Sequence, residues 1–352
     1  MATAARQDEG HETWRWLAPP RAGGRDAPSS RMGSAAALPR HRGLTDMSTK
    51  TLRALVADPN VSIPDIGLAL SRQLETWSDR EALALLDSLS VGTPLADRLA
   101  TIAPEMLTAV LRSGAGLPAS PHSAAIAAWI AANPARWSKV LSPDAREWSR
   151  LVVSLGGAQS DIAFASARQD RETSQRLYDA TMANAGATLA IGTWMEHRTV
   201  YSTDNYLSVL VPGTRRDHHL GYDLFAPALT PLYMPMPGTV VQAGIIDERL
   251  DYGGFLVTRH EIAPSVAFFA LWGHLSHDSA RRWSPGDNVP EDAELARMGD
   301  FEENGWWLPH LHLQLSTLEF SDFRKMPGVG EAACRPLWTE IFPNPWHLVL
   351  GD

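Results

Sequence analysis

The stretch that decides the fold is Pro309-His310-Leu311-His312-Leu313-Gln314-Leu315, in which leucine alternates with polar residues. Residues two apart on a β-strand point to the same face. We therefore expect a strand whose leucines face a core while His310, His312 and Gln314 share a solvent-facing groove. One imidazole of such a pair suits metal binding and the other suits proton transfer. The alternative is a pair of incidental surface histidines.

A second motif, His219-Leu220-Gly221-Tyr222-Asp223, precedes this strand by about 90 residues. Imidazole nitrogen and carboxylate oxygen are zinc ligands, and a catalytic zinc site combines three protein ligands with an exchangeable water. If the chain is irregular or extended at Gly221, the side chains of His219 and Asp223 converge on one metal. The alternatives are that Asp223 caps a turn and that the adjacent His218 replaces His219.

A third motif, Gly273-His274-Leu275-Ser276, lies between the other two and follows an apolar run from Val266 to Trp272. We interpret His274 as a second acid–base or oxyanion-stabilising imidazole; the alternative is a structural histidine at the end of a buried strand. His260 and His277 match no motif and are interpreted as structural or surface residues. Eight of the 12 histidines lie between His197 and His312, so the chemistry is expected there.

The three motifs, in this order, resemble those of the LytM/lysostaphin family of zinc metallopeptidases, which are peptidoglycan DD-metallopeptidase-like enzymes. Pro237-Gly238-Thr239-Val240-Val241 and Tyr252-Gly253-Gly254 match the order of turns and strands in that family. The resemblance covers roughly residues 188–316.

The resemblance implies a β-sheet groove in which His219, Asp223 and His312 hold zinc. His310 and His274 would be the catalytic histidines. Members of the family cleave peptide bonds in bacterial cell walls, so the expected partner is a peptide or peptidoglycan-fragment substrate.

Two features depart from the usual family pattern. Gln314 stands where many members have Glu, and the segment from Gly299 to Leu308 replaces a stretch of small residues before the last motif. Both features are similar to a subgroup found as the middle module of kinase–peptidase–aminotransferase proteins. In the replaced segment, Trp306 and Trp307 are candidates for a groove wall, with core packing as the commoner use of tryptophan.

These patterns favour a zinc-dependent metalloendopeptidase that uses a metal-activated water with histidine acid–base help. The alternative is a non-catalytic LytM-like binding or regulatory module. Intact residues at all three ligand positions and both catalytic positions favour the enzyme. A third hypothesis assigns the function to the helical region, which would have a protein partner of its own, with the β domain as a docking platform.

The fold class expected is α+β: a helical N-terminal region followed by an antiparallel β-sheet metallopeptidase domain with an open groove. Residues 1–46 are expected to be a disordered tail, unless Met47 is the natural start. Residues 47–185 form the helical domain, residues 186–317 the β-sheet domain and residues 318–352 a C-terminal appendage.

Within these regions, capping residues and apolar spacing predict helices over Leu95–Leu111 and Ser142–Leu155, among others. Short β-favouring runs between prolines and glycines, such as Tyr206–Val211 and Gly238–Ala243, predict strands.

Composition excludes several classes of protein. A formal net charge of −9 and a pI near 5.7 do not fit the basic surface that binds nucleic acid. The sequence contains no run of about 20 apolar residues that would predict a membrane span. The N-terminus also lacks the apolar centre of a signal peptide. Cys334 is the only cysteine. We therefore expect a cytoplasmic protein, with export by an unrecognised route as the alternative.

Overall fold

The computed structural model describes residues 49–133, 140–142 and 148–346. The expectations of a disordered tail over residues 1–46 and of a start at Met47 lie outside the described residues. Within them, the α+β architecture is confirmed: helices come first, and a mostly antiparallel sheet follows. None of the described helices combines the length and the apolar character that crossing a bilayer requires.

The helices are α1 (Thr49–Val56), α2 (Ile63–Gln73), α3 (Asp79–Ser90), α4 (Pro94–Ala100), α5 (Pro104–Gly114), α6 (Ser123–Ala132), α7 (Ser160–Ala167), α8 (Arg171–Ala185), α9 (His277–Arg282) and α10 (Arg335–Ile341). The strands are β1 (Arg150–Val153), β2 (Leu189–Gly192), β3 (His218–His219), β4 (Tyr222–Phe225), β5 (Pro231–Tyr233), β6 (Gly238–Ile245), β7 (Gly254–Ala263), β8 (Val266–Leu275), β9 (Asn288–Val289), β10 (Glu294–Arg297), β11 (His310–Ser316) and β12 (Val329–Gly330).

The first helices show why this part of the chain is helical. Ser62 caps α2 by accepting a hydrogen bond from the backbone N–H of Asp65 at 3.2 Å, which satisfies an otherwise free donor of the first turn. Helices α2 and α5 pack closely because Gly67 has no side chain to collide with the backbone of Leu111. The buried side of this pair belongs to the same apolar cluster as residues of β7 and β8.

Two helix predictions were wrong in detail. The single helix expected over Leu95–Leu111 is split into α4 and α5, because Pro104 begins a new helix where its missing N–H costs nothing. The helix expected over Ser142–Leu155 contains strand β1 instead. Its Leu-Val-Val sequence gains a hydrogen-bonded partner in β2, to which it pairs in parallel, and β-branched valines pack well in such a strand.

The main sheet has eight strands in the order β1-β2-β4-β11-β8-β7-β6-β9. Apart from the parallel pair β1–β2, its neighbours are antiparallel. Strand β11 lies between β4 and β8, and its register places His312 opposite both Asp223 and Gly273. Two of the sequence motifs therefore flank the third in the sheet. The expected strand at Tyr206–Val211 is absent from the ladders, since Leu207 makes only an isolated bridge to Arg215.

Both faces of this sheet are covered. Leu311, Leu313 and Leu315 belong to a cluster with residues of α6 and of the small β5–β10 sheet. On the other face, side chains of β7 and β8 join a cluster built by α1, α2, α5 and α10, among other elements. All seven residues of β11 are buried. The polar side of β11 is therefore not the solvent-facing surface expected from the alternation, because α7 and loops from both before and after β11 border it.

Candidate metal centre

Three side chains converge where β3, β4 and β11 meet. His219, Asp223 and His312 each offer one ligand atom to a common point, and their exposed fractions are 2%, 1% and 3%. The Nε2 of His219 lies 2.9 Å from the Nδ1 of His312. The Oδ1 of Asp223 lies 3.2 Å from the first nitrogen and 3.1 Å from the second. The three atoms form a nearly equilateral triangle.

The outer nitrogens of the two rings fix which atoms face inward. The Nδ1 of His219 lies 3.2 Å from the carbonyl oxygen of Thr193, so its N–H donates there and Nε2 carries the lone pair. The Nε2 of His312 likewise donates to the Oε1 of Gln314 at 3.0 Å, which leaves the lone pair on Nδ1. The Gln314 amide is itself oriented, because its Nε2 donates to the carbonyl oxygen of Pro327 at 3.0 Å. Two nitrogen lone pairs and a carboxylate oxygen thus point at one another.

This donor set fits zinc. Zinc takes tetrahedral sites with ligand distances of about 2.0–2.2 Å to nitrogen and oxygen, which places neighbouring ligand atoms about 3.3 Å apart; the observed separations are 2.9–3.2 Å. Burial, with a further contribution from the nearby Arg198 charge, lowers the pKa of His219 to about 3. That ring is therefore neutral at pH 7, as a metal ligand must be.

Arg198 is a member of the site that the sequence patterns missed. Its side chain is almost fully buried, and Nη1 lies 2.8 Å from the Oδ2 of Asp223. Its Nε also pairs with Glu196 at 3.0 Å. Gly192 makes room for this guanidinium, since a β-carbon there would stand 2.6 Å from Nη2. Arg198 thus holds the outer oxygen of Asp223, and Oδ1 is left facing the histidines.

The same guanidinium controls the charge of Asp223. Burial by itself raises the pKa of this carboxyl group, but the neighbouring His219 and Arg198 outweigh burial and hold the pKa well below its usual value. Asp223 is therefore ionised. No motif marks Arg198 in the sequence, because its burial beside two carboxylates arises only in the folded chain.

The two remaining histidines of the motifs border the triangle. The Nε2 of His310 lies 3.7 Å from the Oδ1 of Asp223, and the ring centroids of His310 and His274 are 4.2 Å apart. Both rings donate from Nδ1 to backbone carbonyls: His310 to Leu308 at 2.6 Å and His274 to Asn304 at 2.8 Å. Their Nε2 lone pairs are therefore free. Burial lowers the pKa of His310 to about 4 and that of His274 well below its ordinary value.

His274 occupies an unusual backbone conformation, with φ at 63°. A non-glycine residue in the left-handed region costs on the order of 1 kcal/mol or more and persists only where its surroundings fix it. Its N–H donates to Tyr252 O and its carbonyl accepts from Gly299 N–H, both at 2.8 Å. With the ring bond to Asn304, these contacts fix His274 beside the other histidines.

A cleft of about 580 Å³ lies over these residues. Trp307 lines it, whereas Trp306 is not among the lining residues and packs against an apolar cluster around Phe301. Tyr252, whose ring centroid is 5.4 Å from that of His312, also lines the cleft. In the sequence, Tyr252 stood out only as part of the Tyr252-Gly253-Gly254 pattern that the family shares, with no role in the site.

The other candidate histidines lie outside the group. His218 pairs with the neighbouring Asp217 at 2.7 Å and is not part of the metal triangle. His260 is buried between Thr258 and the carbonyl of Pro237, as expected for a structural residue. His277 is the first residue of α9 and does not line the cleft.

Comparison with known proteins places this site in a family context. Residues 217–321 match the model of peptidase family M23, and no curated protein sequence matches the chain. Among solved structures, a zinc-containing peptidase from Vibrio cholerae aligns at 25% identity and a TM-score of 0.23. The alignment covers 29% of this chain and 28% of the Vibrio chain, which is less than two thirds of its length.

Two further structures align over a similar share of this chain. The catalytic domain of the antimicrobial peptidase lysostaphin from Staphylococcus simulans is 21% identical over 36% of this chain and 84% of its own, with a TM-score of 0.26. A mutant catalytic domain of the prophage-encoded M23 protein EnpA from Enterococcus faecalis is 25% identical over 31% and 75%, with a TM-score of 0.24.

The family match spans all three sequence motifs, from the residues before His219 to those after His312. The narrower resemblance to the middle module of kinase–peptidase–aminotransferase proteins stays a prediction. The LytM/lysostaphin-type resemblance itself is confirmed for residues 217–321, the part of the chain that matches the model of peptidase family M23.

Proposed function

We propose that this chain is a zinc-dependent metallopeptidase that hydrolyses peptide bonds, with peptidoglycan-type peptides as the substrate class that its family suggests. The observation that supports this most is the convergence of three lone-pair donors. Two imidazole nitrogens and a carboxylate oxygen lie 2.9–3.2 Å apart, while the outer nitrogen of each ring is already engaged by Thr193 or Gln314. A cation at the centre of this triangle would be held by all three atoms.

In this proposal His219, Asp223 and His312 are the metal ligands. A bound zinc ion supplies Lewis-acid polarisation and a nucleophile at neutral pH. Gln314 and Thr193 hold the two rings in the tautomers that present lone pairs, and Arg198 holds the carboxylate. Outer partners of this kind raise ligand basicity and fix ring orientation.

His310 is the proposed general base. Its Nε2 is free to accept a proton, and the resulting imidazolium would lie 3.7 Å from the Asp223 carboxylate, which stabilises the positive charge. In the proposed reaction a water adds its hydroxyl to the scissile carbonyl carbon, and the C–N bond breaks. The proton taken up by His310 then passes to the departing amine nitrogen.

His274 is the proposed second catalytic histidine. Because its Nδ1–H donates to Asn304, its Nε2 accepts rather than donates, so it stabilises an oxyanion only after taking up a proton. Its ring centroid lies 4.2 Å from that of His310, so a proton on one imidazole disfavours protonation of the other.

Replacing His312 tests the proposal. His312→Ala should remove stoichiometric zinc, measured by elemental analysis of the purified protein, together with hydrolysis of wall peptides and glycine-rich peptides. His218→Ala is the matched control, because His218 lies next to the ligand His219 but outside the triangle. Full activity of the metal-free His312→Ala protein would rule the proposal out. Stoichiometric zinc in the wild-type protein without hydrolysis of any peptide would favour a binding or regulatory module.

A further inference from the structure

The cleft above the metal centre is deep. Its floor includes His310, His312 and His274, yet none of these side chains is more than 6% exposed. The volume of about 580 Å³ is in the range of pockets that enclose most of a small ligand. A substrate must therefore enter the cleft to reach the histidines.

Two contacts join neighbouring walls on one half of the perimeter. Helix α7 forms the first wall, and the loop that carries Arg249 forms the second. The Nη2 of Arg249 donates to the carbonyl oxygen of Ala167, the last residue of α7, at 2.7 Å. Tyr252, on the same loop as Arg249, donates from its hydroxyl to the carbonyl oxygen of Met326 at 3.3 Å. The segment around Met326 is the third wall.

Further contacts complete the perimeter. The backbone N–H of Leu220 donates to the carbonyl of Gly328 at 3.0 Å, which joins the third wall to the metal-ligand segment. The N–H of His219 donates to the carbonyl oxygen of Glu196 at 2.9 Å, and the N–H of Gly156 donates to the Glu196 side chain at 3.3 Å, which joins the metal-ligand segment to the loop before α7. Among the described residues, the walls thus form a ring of contacts around the floor of the cleft. A peptide that lies across the site in an extended conformation would need openings in this ring on two opposite sides.

The lining of the cleft carries excess positive charge. Beyond the internal Arg198–Asp223 pair and Arg324, which pairs with Asp322, the lining cations are Arg216, Arg249 and Lys325, and the lining carboxylates are Glu248 and Asp251. Arg216 is the most informative of these. Its Nη2 bonds to the carbonyl of Asn205 at 2.6 Å, its Nε is buried without a partner, and it makes no ion pair with a described carboxylate. A half-buried guanidinium at the cleft, whose Nη1 bonds to no described residue, suits a planar carboxylate ligand.

We propose that the site takes the free carboxyl end of a short peptide, which enters the cleft end-on and places its terminal carboxylate on Arg216. This inference rests on the proposed function and narrows its substrate class. It distinguishes soluble peptides from cross-linked wall polymer, whose strands have no free end at the bond to be cleaved.

Binding and hydrolysis of matched peptides test the inference separately. Tetra-alanine and tetraglycine, each with an N-terminal fluorophore, are compared as free acids and as C-terminal amides by fluorescence anisotropy with the zinc-loaded protein. The free acids should bind at least about tenfold more tightly, because the C-terminal amide lacks the negative charge that the guanidinium pairs with. Equal affinity for acid and amide would overturn the inference.

Arg216→Gln should abolish the preference for the free acid. Arg215→Gln should keep it, because Arg215 bonds to Thr203 and does not line the cleft. Thermal melting and zinc content verify that both variants are folded and metal-loaded. A preference that persists in a folded Arg216→Gln protein would count against the inference.

Hydrolysis separates this inference from the proposed function. Release of soluble products from purified cross-linked peptidoglycan as fast as from the free-acid peptides would refute end-on entry and support peptidase function. Selective binding of free acids without hydrolysis of any peptide would support the inference about the cleft and refute the proposed catalysis.

Discussion

Arg198 Nη1 lies 2.8 Å from the Oδ2 of Asp223, and both side chains are almost fully buried. The guanidinium also bonds to Glu196 at 3.0 Å, so it separates two carboxylates that would otherwise share a dry environment. Since the Oδ1 of Asp223 faces His219 and His312, the guanidinium and the proposed metal bind opposite oxygens of one carboxylate. The guanidinium and the proposed metal would therefore both compensate the negative charge of Asp223.

Arg198→Met should destabilise the zinc-free protein by about 3–5 kcal/mol, the usual result of removing one partner from a buried ion pair. The zinc-loaded protein should lose less, because the metal still compensates the Asp223 charge. Urea unfolding with and without a chelator measures both values. Arg198→Lys should recover part of the loss, since it keeps the charge but cannot span both carboxylates. An equal loss with and without zinc would contradict the shared role.

The matched control for this prediction is Arg324→Met. Arg324 also pairs with an aspartate, Asp322, at 2.9 Å, but its side chain is exposed. Exposed ion pairs contribute little to stability, so this variant should unfold at nearly the wild-type urea concentration in either condition.

Gln314→Leu should weaken zinc binding by about 10–100-fold, the usual effect of removing the outer partner of a ligating histidine. Without the amide oxygen, nothing holds the proton of His312 on Nε2, and the ring can present an N–H to the metal instead of a lone pair. Gln314→Glu keeps an acceptor at the same place and should bind zinc far more tightly than the leucine variant. Competition with a chromogenic chelator measures both affinities. Similar affinities for the two variants would contradict this role for Gln314.

The sequence predicted the part of the site that depends on local pattern. Alternation in one strand placed His310 and His312 on the same face, and the motif spacing brought His219 and Asp223 to them. Strand pairing then completes the triangle, because the register sets His312 opposite Asp223. The triangle of ligand atoms therefore follows from the two-residue repeat of β11 and from its antiparallel pairing with β4.

Other parts of the site depend on contacts distant in sequence and were not predictable in the same way. Arg198 lies in an irregular segment with no periodicity, and only the folded chain brings it to Asp223. The burial of β11 results from a helix and loops that cover its polar face. The alternation of residues within one strand does not predict such a cover. Strand β1 was missed because its four residues form a strand only through pairing with β2.

His260 should make stability depend on pH away from the metal centre. Burial lowers its pKa to about 4 from the ordinary 6.5. Its Nδ1 donates to Pro237 O, and its Nε2 accepts from the Thr258 hydroxyl. Because the folded state resists protonation, the unfolded chain binds more protons below pH 6.5. This contribution to stability is complete above pH 6.5 and is lost as the pH falls toward 4.

Between pH 7.5 and pH 5 this histidine alone should reduce the free energy of unfolding by about 2 kcal/mol. His260→Gln keeps a donor and an acceptor but does not titrate. The variant should therefore show a pH dependence smaller than that of the wild-type protein by the same amount in urea unfolding. The site histidines also titrate, but they contribute equally to both proteins. Parallel pH profiles would show that His260 is not the source.

Gly221→Ala should weaken zinc binding without changing any polar group. A β-carbon at this position would stand 2.5 Å from Cε1 and 2.6 Å from Nε2 of His312, closer than van der Waals contact allows, so the ring must tilt away from the triangle. Overpacking of this kind costs about 1–3 kcal/mol, and displacement of one ligand should appear as a loss of zinc affinity larger than the loss of stability. Gly244→Ala is the control, since its new methyl group would meet only the Phe255 ring, at 3.2 Å, far from the ligands. If both alanine variants retained wild-type zinc affinity, the close fit of the His312 ring against Gly221 would have no part in holding the metal.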